Sequence, residues 1–207
     1  MNPPVWMART LTVVPPVAVV AALAWFQWQH AWGIGNVVAE TPRFTLTDHF
    51  GRTVTEAAFR GRYLLIYFGY TFCPDICPTS LTAIAEVLKQ LGPKADKIVP
   101  ILISFDPGRD TPAALADYVA LFGPGFVGLT GTPEQVAAAA AQFGVVYRKV
   151  GDGADYVIDH SADIYLVGPD GRYVATFRHG TNVPELAVGI ATAMTRVNLT
   201  EPPSVPK

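Results

Sequence analysis

Hydrophobic and polar positions follow two alternating patterns along most of this chain. Residues 63–68 and 98–105 are short, almost wholly apolar runs, which predicts strands that are buried on both faces. Between them, residues 78–91 carry apolar side chains three and four positions apart. That spacing predicts an amphipathic helix, which we expect to end at the Gly92-Pro93 pair.

The same alternation continues on both sides of this unit. Two short strands around Gly51-Arg52 and a helical turn at 56–60 precede it. After it we expect helices at 112–122 and 133–143, a brief strand at 126–130, hairpins at 145–158 and 164–177, and a last helix at 184–197. Alternating strands and helices with a closing hairpin predict an α/β fold, a three-layer sandwich around a mixed central sheet.

The N-terminal segment is apolar for longer than any of these strands. Residues 11–28 contain no charged side chain, and eighteen helical residues span roughly 27 Å, close to the hydrocarbon thickness of a bilayer. Arg9 precedes the segment and three tryptophans lie near its far end, as the positive-inside rule and an aromatic belt predict. We therefore expect a single-pass anchor at 11–30. A cleaved signal peptide is the competing interpretation.

This topology divides the chain into five parts. Residues 1–10 would be cytoplasmic, 31–41 would be a linker, 42–197 would form the folded domain outside the cytoplasm, and the Pro-rich 198–207 would be a disordered tail. The chain has 207 residues, of which 15% are charged, and its formal net charge is −2. Neither a basic patch nor a repeat is visible, so we expect no nucleic-acid partner.

The two cysteines of the chain, Cys73 and Cys77, lie between the first buried strand and the following helix. A thiol at this junction is close to unpaired backbone N–H groups and the positive end of a helix dipole, which stabilise the thiolate. Residues four apart can face the same way across one helical turn. The spacing therefore indicates redox or metal chemistry. A structural disulfide is the alternative, but such a short loop would contribute little stability.

Three blocks of the chain, in this order, resemble the Sco/SenC family within the thioredoxin-like superfamily. They read YFGYTFCPDICPTSL, SFDPGRDTP and DYVIDHSADIYLVGPDGRY, and the resemblance covers roughly residues 40–195. The family consists of membrane-anchored copper-binding proteins that support assembly of the copper A site in cytochrome c oxidase. The resemblance implies a thioredoxin-like fold and copper ligands at Cys73, Cys77 and His160. Asp159, Asp106 and Asp110 also match family positions, and we expect them to support the site or the local structure.

The family resemblance also implies partners and a location. They are the oxidase subunit that carries the copper A site, other copper chaperones or thiol reductases, and the inner membrane, with the domain on the periplasmic side. In thioredoxin-like reductases a proline faces the cysteine pair. Ala162 stands at that position here, two residues after His160, which favours metal binding over general disulfide reduction.

Two thiolates and one imidazole suit Cu(I), and Cu(II) could bind if an oxygen ligand completed the site. Structural zinc sites normally use four ligands, and the chain has no third cysteine. The main alternative is a thiol–disulfide oxidoreductase that keeps the oxidase's cysteines reduced, with Cys73 and Cys77 as a redox-active pair. A thiol peroxidase is a third hypothesis. It is supported by the nearby Thr71 but not by the prolines that flank the cysteines.

Overall fold

Seven strands in the described part of the chain form one mixed sheet, and two more form a separate antiparallel pair. The structure is a computed structural model, and it describes residues 41–153 and 155–200. The strands are β1 Thr45–Asp48, β2 Thr53–Thr55, β3 Tyr63–Gly69, β4 Ile98–Ser104, β5 Val127–Thr130, β6 Tyr147–Val150, β7 Val157–His160, β8 Ile164–Val167 and β9 Tyr173–Phe177. The α-helices are α1 Ile76–Leu91, α2 Pro112–Ala120, α3 Pro133–Gln142 and α4 Val183–Thr200, and 3₁₀ helices occupy Glu56–Phe59 and Gly92–Lys97.

The main sheet has the strand order β2-β1-β5-β4-β3-β8-β9. Its centre is parallel, since β3 pairs with β4 and β4 with β5 in the same direction. Both sides of that centre are antiparallel, through β8 and β9 at one edge and β1 and β2 at the other. The structure therefore confirms a mixed α/β fold with a mixed central sheet, in agreement with the expected thioredoxin-like architecture.

Both faces of the central strands are covered, because every residue of β3 and β4 is buried. Neighbouring side chains of a strand point to opposite faces. Accordingly, the Tyr67 hydroxyl is 3.8 Å from Cys77 Sγ of α1, whereas the Phe68 ring contacts Phe143, the residue that follows α3. Helical segments thus pack on both sides of β3, and the cysteine-bearing helix lies on the Tyr67 side.

Local signals in the sequence account for several helix starts. The Thr111 hydroxyl accepts a hydrogen bond from the Ala114 N–H, and Pro112 occupies the first helical position, where the sequence predicted this helix to begin. The cysteine-bearing helix differs, because α1 begins at Ile76, two residues before the predicted start at Pro78. A proline fits within the first turn since the N–H groups there have no intrahelical acceptor. Cys77 therefore belongs to the helix itself.

The predicted anchor at 11–30, with the cytoplasmic segment before it, lies outside the described residues, as do most of the linker and residues 201–207 of the predicted tail. Helix α4 continues to Thr200, three residues beyond the predicted end of the domain. Within the ranges 41–153 and 155–200, we find no helix that has both the length and the hydropathy required to span a bilayer.

Candidate metal centre

The end of β3 and the start of α1 place the two cysteines one helical turn apart. Cys73 lies in the connecting turn and is half-buried, whereas Cys77 is the second residue of α1 and its side chain is fully buried. The Cys77 backbone N–H donates a hydrogen bond to Cys73 Sγ over 3.4 Å. Both thiols are free. The helix start therefore orients the Cys73 sulfur toward the same space as Cys77.

The imidazole at the site comes from the separate two-stranded pair. His160 is the last residue of β7 and pairs with Tyr147 of β6. Its Nδ1 is 2.9 Å from the carbonyl oxygen of Ser161, and its Nε2 is 3.5 Å from Cys77 Sγ. A carbonyl oxygen only accepts, so Nδ1 carries the hydrogen and the Nε2 lone pair faces the thiol. This arrangement of a backbone-anchored imidazole is common among metal-ligating histidines.

Together these three side chains form a compact group of possible ligands. The two sulfurs and one imidazole nitrogen lie within 4.8 Å of one another. Within the described ranges, no other trio of histidine, cysteine or acidic side chains is this close. One ion could therefore contact Cys73, Cys77 and His160 at the same time, which is the set that the family resemblance implies.

Burial determines the protonation of the metal-free group. It raises the pKa of the Cys77 thiol to about 12, because desolvation disfavours the thiolate. Burial also lowers the pKa of His160 below its ordinary value of 6.5, so the imidazole stays neutral. A bound cation would favour the Cys77 thiolate by supplying the missing positive charge. Cys77 and His160 are thus neutral donors in the metal-free protein, and Cys77 becomes charged when an ion binds.

Aromatic rings surround the imidazole of His160. Phe105 lies 5.1 Å from it between ring centroids, and Tyr70 and Tyr67 contact it edge-on at 6.0 and 6.3 Å. Tyr67 and Tyr70 are both buried, so they form the inner part of the wall around the imidazole. Phe68 lies on the other face of the sheet, and Phe72 is 60% exposed, so Phe72 does not pack in the core. The wall restricts the imidazole to a narrow range of orientations.

Asp110 supports the cysteine turn, which is the segment 70–75 between β3 and α1. Its buried carboxylate accepts hydrogen bonds from the Thr71 N–H at 3.0 Å and from the hydroxyls of Thr71 and Ser104 at 2.5 Å. Burial nevertheless raises the pKa of this carboxyl above 3.8. Thr71 is two residues before Cys73, so Asp110 fixes the turn through the backbone and is not itself part of the ligand group.

Neither of the other two aspartates joins the ligand group. Asp106 is buried and accepts hydrogen bonds from Arg109 Nε and the Tyr156 hydroxyl. Asp159 follows the alternation of β7, so its side chain points away from the face that His160 occupies. Its carboxylate is 71% exposed and lies 3.5 Å from Arg148 Nη2. The ion pair of Asp159 with Arg148 is therefore a weak one at the surface.

Arg109 and His179 make contacts near the site that the sequence did not predict. Arg109 lies over the rings of Phe72 and Tyr156, and His179 Nδ1 is 3.1 Å from the hydroxyl of the buried Ser80 in α1. Arg109 falls inside the second block that resembles the family, SFDPGRDTP, and this was the one feature of the sequence that could have indicated it. Nothing in the local pattern of the sequence indicates the pairing of His179 with Ser80.

Comparison with known proteins gives one consistent result. The family model described as SCO1/SenC matches residues 36–195. The human mitochondrial protein SCO1 homolog is 41% identical over 155 residues, which cover 73% of this chain and 52% of that protein. The chain therefore spans about half the length of this curated relative.

Two similar solved structures are described as having copper bound. Arabidopsis thaliana ScoI is 33% identical, with a TM-score of 0.72 over 77% of this chain and 99% of that one. Bradyrhizobium japonicum ScoI is 42% identical, with a TM-score of 0.67 over 76% of this chain and 99% of that one. The match of the family model across most of the chain, with these relatives, shows that the chain belongs to the SCO1/SenC family.

Proposed function

We propose that this protein binds copper through Cys73, Cys77 and His160 and delivers it to, or prepares, the copper A site of cytochrome c oxidase. The observation that carries the proposal is the convergence of two sulfurs and one imidazole nitrogen within 4.8 Å. Copper-bound structures of two Sco proteins that resemble this chain support the choice of metal.

The chemistry of the donor set favours Cu(I). Thiolates are soft ligands and imidazole suits copper, whereas a structural zinc site would normally require a fourth ligand. Binding through Cys77 releases the proton of that buried thiol, and the ion then offsets the cost of the buried thiolate. An additional oxygen ligand would allow the same residues to hold Cu(II).

Delivery requires that a partner can reach the ion. Cys73 is half-buried and lies in a surface turn, so an incoming ligand can approach from that side. One similar solved structure, of BsSco, is described as that of a member of the Sco family of cytochrome c oxidase assembly proteins. We therefore propose the copper A subunit as the recipient, a second chaperone or a thiol reductase as the upstream partner, and an N-terminal anchor that keeps the domain on the periplasmic face.

Anaerobic titration of the reduced protein with Cu(I), in competition with a chromophoric chelator, tests the ligand set. We expect one tightly bound ion per chain, and a loss of at least about tenfold in affinity in Cys73→Ser and His160→Ala. His49→Ala is a matched control, because His49 Nδ1 accepts a hydrogen bond from the Gly128 N–H away from the site. Unchanged affinity in both site variants would reject the proposed ligands.

A cellular assay tests delivery separately from binding. A strain that lacks this protein, complemented with each variant, should recover the copper A absorbance of its oxidase with wild type and His49→Ala but not with His160→Ala. Full recovery with a variant that no longer binds copper would reject the delivery role while leaving the binding site intact.

Thiol–disulfide exchange is the second candidate function, favoured by the hydrogen bond from the Cys77 N–H to Cys73 Sγ. Such a bond stabilises a thiolate at Cys73. This thiolate would attack a partner disulfide to form a mixed disulfide, and Cys77, after losing its proton, would displace the partner's remaining thiolate. The pair would be oxidised and the partner reduced by two electrons. Insulin reduction that survives His160→Ala would support this function over metal transfer.

A further inference from the structure

The strand that carries His160 belongs to a sheet that is separate from the one that positions the cysteines. Among the strands that the structure describes, β6 and β7 pair only with each other, whereas β3, which leads to Cys73, lies in the seven-stranded sheet. Backbone pairing links the two ligand-bearing segments only indirectly, through β8, which begins four residues after His160 and pairs with β3. Contacts between side chains, and between side chains and backbone, therefore contribute to the distance between the cysteines and His160.

Arg109 lies between these two segments. Its Cζ is 4.6 Å from the ring centroid of Phe72 and 3.6 Å from that of Tyr156. Its Nε also forms an ion pair with the buried carboxylate of Asp106, and only 17% of the Arg109 side chain is exposed. A single guanidinium thus contacts one ring from the cysteine turn and one from the histidine hairpin, which is the hairpin formed by β6 and β7.

Both rings lie close to the ligands along the chain. Phe72 immediately precedes Cys73, and Tyr156 immediately precedes β7, which ends at His160. The Tyr156 hydroxyl donates to Asp106, and Lys149 of β6 lies with its Nζ 3.7 Å from the Tyr156 ring centroid. The Tyr156 ring is therefore held by its own hairpin on one side and by Arg109 and Asp106 on the other.

We propose that Arg109 is a positioning residue that sets the separation between the cysteine turn and His160, and so the geometry of the copper site. This inference rests on the proposed copper-binding function. The guanidinium is planar and delocalised, so it can contact aromatic rings while its edge pairs with a carboxylate. A lysine ammonium in its place would keep the charge but lose the flat contact surface.

Other contacts keep the hairpin attached when Arg109 is changed. The Ile158 N–H donates to the Tyr70 hydroxyl over 3.1 Å, and the rings of Phe105 and Tyr147 stack at 4.5 Å. Loss of the guanidinium should therefore loosen the hairpin without detaching it. Metal sites need their ligands within roughly 0.5 Å of the productive geometry, so a small displacement is enough to weaken binding.

The test compares Arg109→Ala and Arg109→Lys with Arg52→Ala. Arg52 is a matched control, since it pairs with the buried Asp48 at 2.7 Å and lies 4.8 Å over the Phe50 ring, outside the metal centre. For each variant we would measure Cu(I) affinity by competition, the thiolate-to-Cu(II) absorption band, and amide hydrogen exchange at Ile158 in the metal-free protein.

We expect Arg109→Ala to weaken Cu(I) binding by about ten- to a hundredfold, to shift the absorption band and to speed exchange at Ile158. Arg109→Lys should show a smaller loss of affinity, and Arg52→Ala should show none of the three changes. If Arg109→Ala does not fold, the thermal midpoint of the metal-free protein will show it. The two single variants Arg109→Lys and Tyr156→Leu then provide the test.

Two negative results are distinguishable. If His160→Ala binds copper as tightly as wild type, the proposed copper site itself is wrong. If His160→Ala loses affinity while Arg109→Ala keeps wild-type affinity, spectrum and exchange, the copper site stands and the positioning role is overturned. A lower thermal midpoint with unchanged copper affinity and spectrum would also overturn it, because Arg109 would then be merely structural.

Discussion

Gly69, the last residue of β3, leaves space that the Cys77 thiol occupies. A Cβ added at Gly69 would lie 2.8 Å from Cys77 Sγ, 3.0 Å from Tyr67 Cε1 and 3.4 Å from Leu102 Cδ1. Ordinary carbon contacts begin near about 3.5 Å. A Gly69→Ala change therefore requires the sulfur to move by more than half an ångström, and the buried ring of Tyr67 limits its escape.

The size of the effect follows from overpacking. Inserting a methyl group into a filled core costs about 1–3 kcal/mol, which in a domain of this size lowers the thermal midpoint by about 3–9 °C. The displaced sulfur is also a proposed ligand, and ligand shifts of roughly 0.5 Å disrupt a metal site. We therefore expect Gly69→Ala to weaken Cu(I) binding by about tenfold or more.

Gly128→Ala is the matched control for this prediction. Its added Cβ would lie 2.9 Å from Leu115 Cβ and 3.3 Å from Val119 Cγ1 of α2, with no ligand among its neighbours. Calorimetry of the two metal-free variants should show similar losses of stability. Competition titration should then show a loss of copper affinity for Gly69→Ala alone. Equal affinities in the two variants would refute the claim that Gly69 reserves space for the thiol.

Three further predictions follow from burial and hydrogen bonding. Asp110→Ala removes the shared acceptor of Thr71 and Ser104, so urea unfolding should show that the free energy of unfolding falls by about 2–4 kcal/mol. A fall of less than about 0.5 kcal/mol would contradict the support role. Because burial raises the Cys77 pKa to about 12, iodoacetamide at about pH 8 should alkylate Cys73→Ser at least about tenfold more slowly than Cys77→Ser, and equal rates by mass spectrometry would contradict this. Burial lowers the His160 pKa below 6.5, so the unfolded chain binds a proton there that the folded chain does not, and the stability from the neutral imidazole is lost as the pH falls below 6.5. Metal-free wild type should therefore lose more unfolding free energy than His160→Gln between about pH 7.5 and 5.5, and equal losses would reject the depressed pKa.

Much of the fold could be predicted because its signals are local. The wholly apolar runs predicted β3 and β4, and the helix predicted at 112–122 starts at the same residue as α2. The cysteine spacing predicted two converging thiols at a strand-to-helix junction. Each of these depends on residues within a few positions of one another, where periodicity and capping rules apply.

What the sequence could not show depends on contacts between distant segments. His160 is brought to Cys77 across 83 positions, and only the family resemblance indicated it. Arg109 acts through rings at positions 72 and 156, for which no local pattern exists. The start of α1 at Ile76 was missed because the prolines around the cysteines suggest a longer turn, although the first turn of a helix accommodates proline.

The unequal exposure of the two cysteines has a kinetic consequence. A copper ion held by the buried Cys77 and by the half-buried Cys73 and His160 would be more accessible to an incoming ligand from the side of the two half-buried residues. Release would then proceed by associative substitution, in which Cys77 leaves last. The rate of copper loss should accordingly rise with the concentration of the acceptor, and a small chelator that fits the Cys73 turn should extract copper faster than a bulky one of equal affinity.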